Sequence, residues 1–83
     1  KNTARLKFSP FRAQWVAKEI WHPQQRGRFE PDGAYILEVP YGNDTELIMD
    51  ILKQGPEVEV LEPKVLRERV AAAIAATNHL YQA

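Results

Sequence analysis

Prolines and glycines divide this 83-residue chain into short segments whose patterns alternate between strand and helix. Ser9-Pro10 predicts the start of one helix, with the serine as N-cap and the proline in the first turn. Pro31-Asp32-Gly33 predicts a tight hairpin turn. Gly55-Pro56 predicts the end of a second helix, and Pro63 predicts the beginning of a third. The chain must therefore build its core from short elements.

Four segments have the pattern of a strand. Polar and apolar residues alternate over Arg5–Phe8 and again over Glu57–Leu61. The two middle strands, over Gln24–Glu30 and Ala34–Tyr41, flank the hairpin turn, and the second of them is the most β-prone. Alternation predicts which side chains face the helices. They are Leu6, Phe8, Tyr35, Leu37, Val39, Val58 and Val60.

Three segments have the apolar spacing of a helix. In the first, Phe11, Trp15, Val16 and Ile20 form a stripe that predicts Trp15 in the core, and the helix is expected to end near Trp21-His22-Pro23. Asn43 and Glu46 are spaced as a capping box at the start of the second helix. The stripe of the second helix is Leu47, Ile48, Ile51 and Leu52, and that of the third is Leu66, Val70, Ile74, Thr77 and either Leu80 or Tyr81.

The predicted order is β-α-β-β-α-β-α, and its first six elements form the ferredoxin-like βαββαβ pattern. This predicts an α+β fold with an antiparallel sheet, the first and third strands central, the helices on one face, and an added C-terminal helix. The length suits a single domain over residues 1–83. Because the chain begins at Lys1 rather than Met, we expect it to be a piece of a longer protein.

Composition excludes several classes of protein. Eleven basic and eleven acidic residues balance, which argues against a free-standing nucleic-acid binder. The chain has no cysteine, and its two histidines are far apart, so neither a disulfide framework nor a zinc site is expected. No apolar run is long enough to span a membrane, and no signal peptide is visible, so a cytoplasmic location is expected. Without a catalytic constellation or a glycine-rich phosphate loop, we expect no enzyme activity and no cofactor.

The sheet face turned away from the helices is expected to carry charges of both signs. Its residues are Gln24, Arg26, Arg28, Arg5, Lys7, Ile36, Glu38, Glu57 and Glu59. The simplest interpretation is cross-strand ion pairing of the first strand with the fourth, and of the second strand with Glu38. The sharper one is that Arg26 and Arg28, on an edge strand with few acidic neighbours, bind a phosphate or an acidic partner. An RNA-recognition module is excluded, because it needs aromatic residues where Lys7 and Ile36 stand.

Two further features have modest interpretations. His22 follows Trp21 and could stack on a ligand or titrate near neutral pH, although such a pair more often closes a helix. Asp50 and Lys53 are spaced as a surface ion pair on the second helix.

The order of several segments resembles the WYL C-terminal extension, or WCX domain, of bacterial transcription regulators. The resemblance covers nearly the whole chain. The matching segments are Ser9–Val16, Trp21–Gln25, Pro40-Tyr41, Glu46–Pro63, Leu66-Arg67 and Tyr81. Asp50 stands where many relatives carry a tryptophan, so that tryptophan's contacts are not carried over.

The resemblance implies a homodimeric regulator with an N-terminal helix-turn-helix, a WYL domain with an Sm-like barrel, and then this module. It implies contacts with the WYL domain of the same or the partner protomer, and a single-stranded nucleic acid or nucleotide as effector. The residues expected to bind that effector are Arg26, Arg28, Arg5, Lys7 and His22. Since this chain has neither a helix-turn-helix nor the Trp-Tyr-Leu motif, we do not expect it to bind an operator alone.

Two other functions fit the same fold. One is a ferredoxin-like regulatory domain that binds a small metabolite across a dimer interface. The other is a purely structural dimerisation module.

Overall fold

A computed structural model describes residues 2–82 of the chain. Its elements are β1 (Asn2–Phe8), α1 (Pro10–Val16), β2 (Arg26–Phe29), β3 (Tyr35–Tyr41), α2 (Thr45–Lys53), β4 (Val58–Glu62) and α3 (Lys64–Leu80). A single 3₁₀ turn, Gly55–Glu57, leads into β4.

The four strands form one antiparallel sheet in the order β2-β3-β1-β4. β1 and β3 are central and β2 and β4 lie at the edges, as the sequence predicts. Leu6 lies opposite Leu37 on one side and Val60 on the other. The register between β1 and β4 shifts beside Arg5, which places a bulge in the β4 edge.

The core lies between one face of the sheet and the three helices. Its buried members alternate along the strands and recur at helical spacing, so all three helices must pack on the same face. They are Ala4, Leu6, Phe8, Ala13, Val16, Tyr35, Leu37, Val39, Leu47, Ile51, Val60, Leu66 and Val70. Val58 is partly buried against this cluster. The predicted helix-facing strand residues are thereby confirmed.

The predicted breaks lie where the backbone needs them. Ser9 caps α1 by accepting a hydrogen bond from the Arg12 N–H. Gly33 closes the hairpin with a φ of 94°, and its N–H donates to the Glu30 carbonyl. Gly55, with a φ of 61°, ends α2. Both glycines adopt a left-handed conformation that a side chain would strain.

The predicted apolar stripe of α1 is confirmed at Val16 but is wrong at Phe11, Trp15 and Ile20. The helix ends at Val16, and its buried residues are Ala13 and Val16. Phe11 and Trp15 point away from the sheet and are 64% and 48% exposed, because positions 11 and 15 lie opposite 13 and 16 on a helix. Their rings pack edge to face, with centroids 5.1 Å apart. Ile20 lies beyond the helix and is also exposed.

Three predicted boundaries also need correction. β2 is four residues long instead of covering Gln24–Glu30, and β4 starts at Val58 because the 3₁₀ turn takes up Glu57. α2 begins after Asp44 and has no capping box. Instead, the Asn43 side-chain oxygen accepts a hydrogen bond from the Thr45 N–H at 2.8 Å, a local Asx turn that competes with the box.

The last helix is longer than the sheet that supports it. With 17 residues α3 is about 26 Å long, whereas the five residues of β4 extend about 17 Å. Leu66 and Val70 in its first half are buried, while Ile74, Leu80 and Tyr81 are exposed. The predicted stripe therefore continues past the core instead of ending in it.

Candidate anion-binding face of the sheet

The sheet face that no helix covers brings four predicted site residues together. We call this surface, formed by Arg5, Lys7, Arg26, Arg28, Ile36 and Glu38, the open face. Arg28 lies opposite Ile36 on one side, and Lys7 lies opposite Ile36 on the other. Arg26 and Arg5 flank Glu38 in the same way. The register thus places two cations on either side of the central strand β3.

Ile36 is only 3% exposed although it is not part of the helix-side core. Its two cross-strand neighbours, Lys7 and Arg28, have long aliphatic stems that can cover it while their charged ends stay in water. The open face therefore has an apolar centre between cationic groups.

The predicted ion pairs between the cations of β1 and the carboxylates of Glu57 and Glu59 do not form, because both carboxylates bind other residues. Glu59 binds Arg67 of α3 at 2.8 Å instead of a cation of β1. Glu57 lies in the 3₁₀ turn, where its carboxylate accepts a hydrogen bond from the Ser9 hydroxyl. The carboxylates of the fourth strand are therefore used elsewhere, because a turn and a following helix supply nearer partners.

The remaining carboxylates only partly neutralise the open face. Arg28 pairs with Glu30 at 3.3 Å, and Arg5 Nε lies 3.9 Å from Glu38 Oε2, too far for a hydrogen bond. That Nε is buried and has no hydrogen-bond partner among residues 2–82. Within the same range, Lys7 and Arg26 form no ion pair.

Across β1 and β4, Lys7 lies opposite Glu59, which Arg67 already binds, and Arg5 lies opposite Glu62. The β1 side of the open face thus has carboxylates beside its cations, and the unneutralised positive charge lies at Arg26 on the β2 side, in a chain that is neutral as a whole.

A shallow cavity of about 230 Å³ lies on the β2 side of this face, lined by Arg26, Gly27, Arg28, Ile36 and Glu38. Pockets that enclose a small molecule usually measure about 300–1,000 Å³. The cavity suits a phosphate group or part of an extended anion better than a whole metabolite.

The connection from α1 holds β2 in place through side-chain hydrogen bonds. The Gln25 side chain accepts from the N–H groups of Trp21 and His22 and donates to the Glu19 carbonyl. Arg12 donates to the Glu19 carboxylate at 2.7 Å. Burial opposes ionisation of Glu19, but the hydrogen bonds from Arg12 and Trp21 outweigh it and hold the pKa of this carboxyl below its usual value.

His22 is set apart from the four cations. It lies in the turn before β2, where its Nδ1 accepts a hydrogen bond from the Gln24 N–H at 3.0 Å, and it does not line the cavity. This contact gives the histidine a structural role in the turn. Gln24, predicted on the open face, also lies in this turn and outside the sheet.

A family model of the WCX domain matches residues 1–77 of the chain. The chain belongs to the WCX family. The resemblance drawn from the sequence is thereby confirmed, and membership implies association with a WYL domain and suggests an accessory role in a WYL regulator. A search of curated proteins finds no match.

A larger cavity of this WCX domain lies away from the open face, between α1 and α2. It measures about 550 Å³, and its lining includes Arg12, Glu19, Asp50, Lys53 and Gln54. These polar groups bind one another: Arg12 donates to Glu19 and Gln54, and Asp50 lies 3.9 Å from Lys53, the pair that the sequence predicts. The cavity therefore has few free polar groups for a ligand.

Between residues 2 and 82 no group of three or more histidine, cysteine or acidic side chains is placed to hold a metal ion. None of the helices in this range is long and apolar enough to cross a membrane.

Sequence reasoning missed Gly27, which lies between the two arginines of β2. A Cβ at this position would come within 1.9 Å of the Tyr35 hydroxyl oxygen, so the tyrosine ring covers the glycine. A glycine inside a strand pattern signals such a close approach, and this signal was present in the sequence. Gly27 keeps β2 flat against β3 and so fixes where Arg26 and Arg28 stand.

Proposed function

We propose that this WCX chain is a non-enzymatic accessory domain of a bacterial WYL-type transcription regulator, in which the open face completes a site for an anionic effector. The effector is a single-stranded nucleic acid or a nucleotide, and the regulator works as a cytoplasmic homodimer. The finer fold assignment that goes with this proposal is ferredoxin-like, with β1 and β3 central and α3 added.

The observation that carries the proposal is the pair of exposed arginines on the β2 side of the open face. Among residues 2–82 Arg26 forms no ion pair, and Arg28 pairs with Glu30 alone. Guanidinium groups bind phosphate through paired, directional hydrogen bonds, which favours arginine at such sites.

Titration of a fluorescent oligothymidylate into the chain joined to its WYL domain tests this proposal. Arg26→Ala/Arg28→Ala is expected to weaken binding at least about tenfold and to reduce the slope of log affinity against log salt by about 1.4, since each phosphate contact in a single strand contributes about 0.7. Lys18→Ala/Lys64→Ala removes the same charge from an exposed turn after α1 and from the exposed first residue of α3, and it is expected to leave both quantities unchanged. Unchanged affinity and salt dependence in the arginine variant would remove these residues from the site.

A second candidate function, dimerisation, is favoured by the far end of α3. From Val70 to Gln82 the chain has no Asp, Glu, Lys or Arg, although most of this stretch is exposed. An apolar groove of about 380 Å³ runs along it, lined by Leu52, Ile74, Thr77, Asn78 and Tyr81. Depletion of charge at the centre of a patch is typical of subunit interfaces.

Sedimentation of the chain joined to its WYL domain tests the dimer contact. Ile74→Arg is expected to shift the protein to the monomer, because it puts a charge into the groove. Ala72→Arg places the same charge on the opposite side of α3 and is expected to leave the dimer intact. A dimer that tolerates both changes equally would place the contact elsewhere.

A further inference from the structure

The outer edge of β2 has backbone groups that nothing in the described chain uses. The Glu30 N–H donates to the Ala34 carbonyl at 2.7 Å, so Glu30 faces β3. Backbone groups alternate in direction along an antiparallel strand, so Arg28 and Arg26 also face β3, while Gly27 and Phe29 face outward. Their two N–H groups and two carbonyls form no hydrogen bond outside the ladder among residues 2–82.

The two sides of this edge differ in chemistry. On the open face stand the side chains of Arg26 and Arg28. On the helix side Phe29 is 58% exposed, and its ring packs on Tyr35 with centroids 4.9 Å apart. Gly27 has no side chain between them, and the Tyr35 ring covers it. A strand that paired with β2 would therefore meet positive charge on one face and an aromatic surface on the other.

A second copy of β2 fits this edge poorly. Only Gly27 and Phe29 face outward, so a symmetric antiparallel pair has three possible registers. In two of them an arginine lies directly opposite an arginine of the other copy, which is destabilising. In the third, Arg28 lies opposite Glu30, but Gly27 lies opposite Pro31, which has no N–H, so the ladder ends beyond the central Phe29 pair.

The acidic strand β4 of another copy does not fit either. Ser9 N–H donates to the Glu57 carbonyl, so by the same alternation the Val60 carbonyl faces outward from the sheet. Arg67 already donates to that carbonyl at 2.7 Å, and the bulge beside Arg5 distorts the same edge. The β4 edge is thus closed to pairing.

We propose that the free edge of β2 takes up an extended acidic segment of a partner protein as a fifth strand. Its acidic side chains alternate onto the open face, against Arg26 and Arg28, and its apolar side chains lie beside Phe29. Backbone hydrogen bonds at Gly27 and Phe29 supply affinity, and the arginines supply the preference for acidic sequences. This inference uses the edge of the sheet and does not depend on a nucleic-acid effector.

A blocked nonapeptide that alternates glutamate and valine is the probe, with a lysine-for-glutamate peptide as its control. Binding to the chain joined to its WYL domain is measured by calorimetry and by the amide signals of Gly27 and Phe29. The acidic peptide is expected to bind and to shift both signals, and the lysine peptide is expected not to bind. No binding of either peptide would overturn the proposal.

A matched pair of variants at one position separates the backbone from the side chain. Phe29→Pro removes an outward N–H without touching the ladder to β3, and proline is tolerated at such edge positions. Phe29→Ala removes the ring and keeps the N–H. Phe29→Pro is expected to weaken peptide binding at least about tenfold relative to Phe29→Ala, and equal binding by the two variants would overturn the proposal.

Charge reversal keeps the test decisive if Phe29→Pro fails to fold. Arg26→Glu/Arg28→Glu is expected to bind the lysine peptide in preference to the acidic one, and an unchanged preference would contradict the proposal. A wild-type dimer that Phe29→Pro dissociates would assign the edge to a second copy instead. Oligothymidylate binding that needs the arginines but ignores Phe29→Pro, with no peptide binding, would overturn this inference and leave the proposed function standing.

Discussion

At the β4 edge of the sheet the outward carbonyl of Val60 accepts a hydrogen bond from Arg67, and α3 packs alongside. At the β2 edge the outward groups of Gly27 and Phe29 have no such partner, and all four residues of the strand are exposed. A bulge also distorts β4, whereas β2 pairs with β3 without interruption.

We infer that the β4 edge of this small sheet serves stability and that the β2 edge serves ligand binding. The β4 edge belongs to the structural half, because the helix that follows it completes the core with Leu66 and Val70. The β2 edge adds little to the core, and it carries the arginines of the open face. Substitutions at the β4 edge should therefore lower the free energy of unfolding, and substitutions at the β2 edge should change ligand binding.

The largest expected effect on stability comes from Leu66→Ala, beneath the β4 edge. Leu66 is fully buried, so Leu66→Ala should lower the free energy of unfolding by about 2–5 kcal/mol. Phe29→Ala, at the β2 edge, removes a larger but exposed side chain and should cost about 1 kcal/mol, mainly through the lost contact with the Tyr35 ring. Urea unfolding of both variants measures this contrast, and equal losses would show that the two edges support the core equally.

The next largest effect on stability is expected from Gly27→Ala, a substitution in the middle of β2. Gly27→Ala forces a Cβ against the Tyr35 ring, and such overpacking costs about 1–3 kcal/mol. Gly42→Ala is the matched control, since no atom lies within 4 Å of its added Cβ and its φ is not positive. If Gly27→Ala unfolds at the same urea concentration as Gly42→Ala, the tyrosine does not hold β2 against β3.

A smaller effect is expected where Arg67 closes the β4 edge. Arg67→Met keeps the aliphatic stem but loses the bonds to Val60 and Glu59, which should cost about 0.5–1.5 kcal/mol. The freed edge should also make the protein associate more readily as concentration rises. Lys64→Met breaks only the exposed pair with Glu68 at 3.9 Å and should change neither the melting temperature nor association. Matching behaviour of the two variants would argue against edge closure by Arg67.

The smallest expected effect on stability belongs to the open face itself. Arg26→Ala/Arg28→Ala changes two exposed side chains, of which only Arg28 has an ion pair, and should shift the free energy of unfolding by no more than about 0.5 kcal/mol. Thermal denaturation checks this. A loss of several kcal/mol would mean that these arginines hold the sheet together and that weaker ligand binding by the variant reflects unfolding.

Much of the fold could be predicted from local signals. The ends of the elements were predicted from Ser9-Pro10, Gly33 and Gly55. Helix capping and a positive φ depend on the type of residue at one position, so they can be read from the sequence. Period-two alternation predicted which side of each strand is buried. Four of the five predicted site residues share the open face, because the same alternation sorted them.

The predictions that were wrong concern contacts between parts of the chain that are far apart in sequence. The spacing of Trp15 fits a helix and predicted a core position, but α1 is only seven residues long and buries Ala13 and Val16 instead. The partner of Glu59 could not be found by alternation, since Arg67 reaches it from a helix outside the sheet. Ile74 is exposed because α3 extends beyond β4, and this difference in length is known only once the sheet has formed.

Hydrogen exchange of the chain joined to its WYL domain tests the division between the two edges most directly. The experiment compares amide exchange with and without oligothymidylate. The open-face account predicts slower exchange in peptides that cover β2 and β3 on addition of the ligand, and no change in peptides that cover β4 and the start of α3. Protection confined to β4 and α3, or absent from both edges, would contradict it.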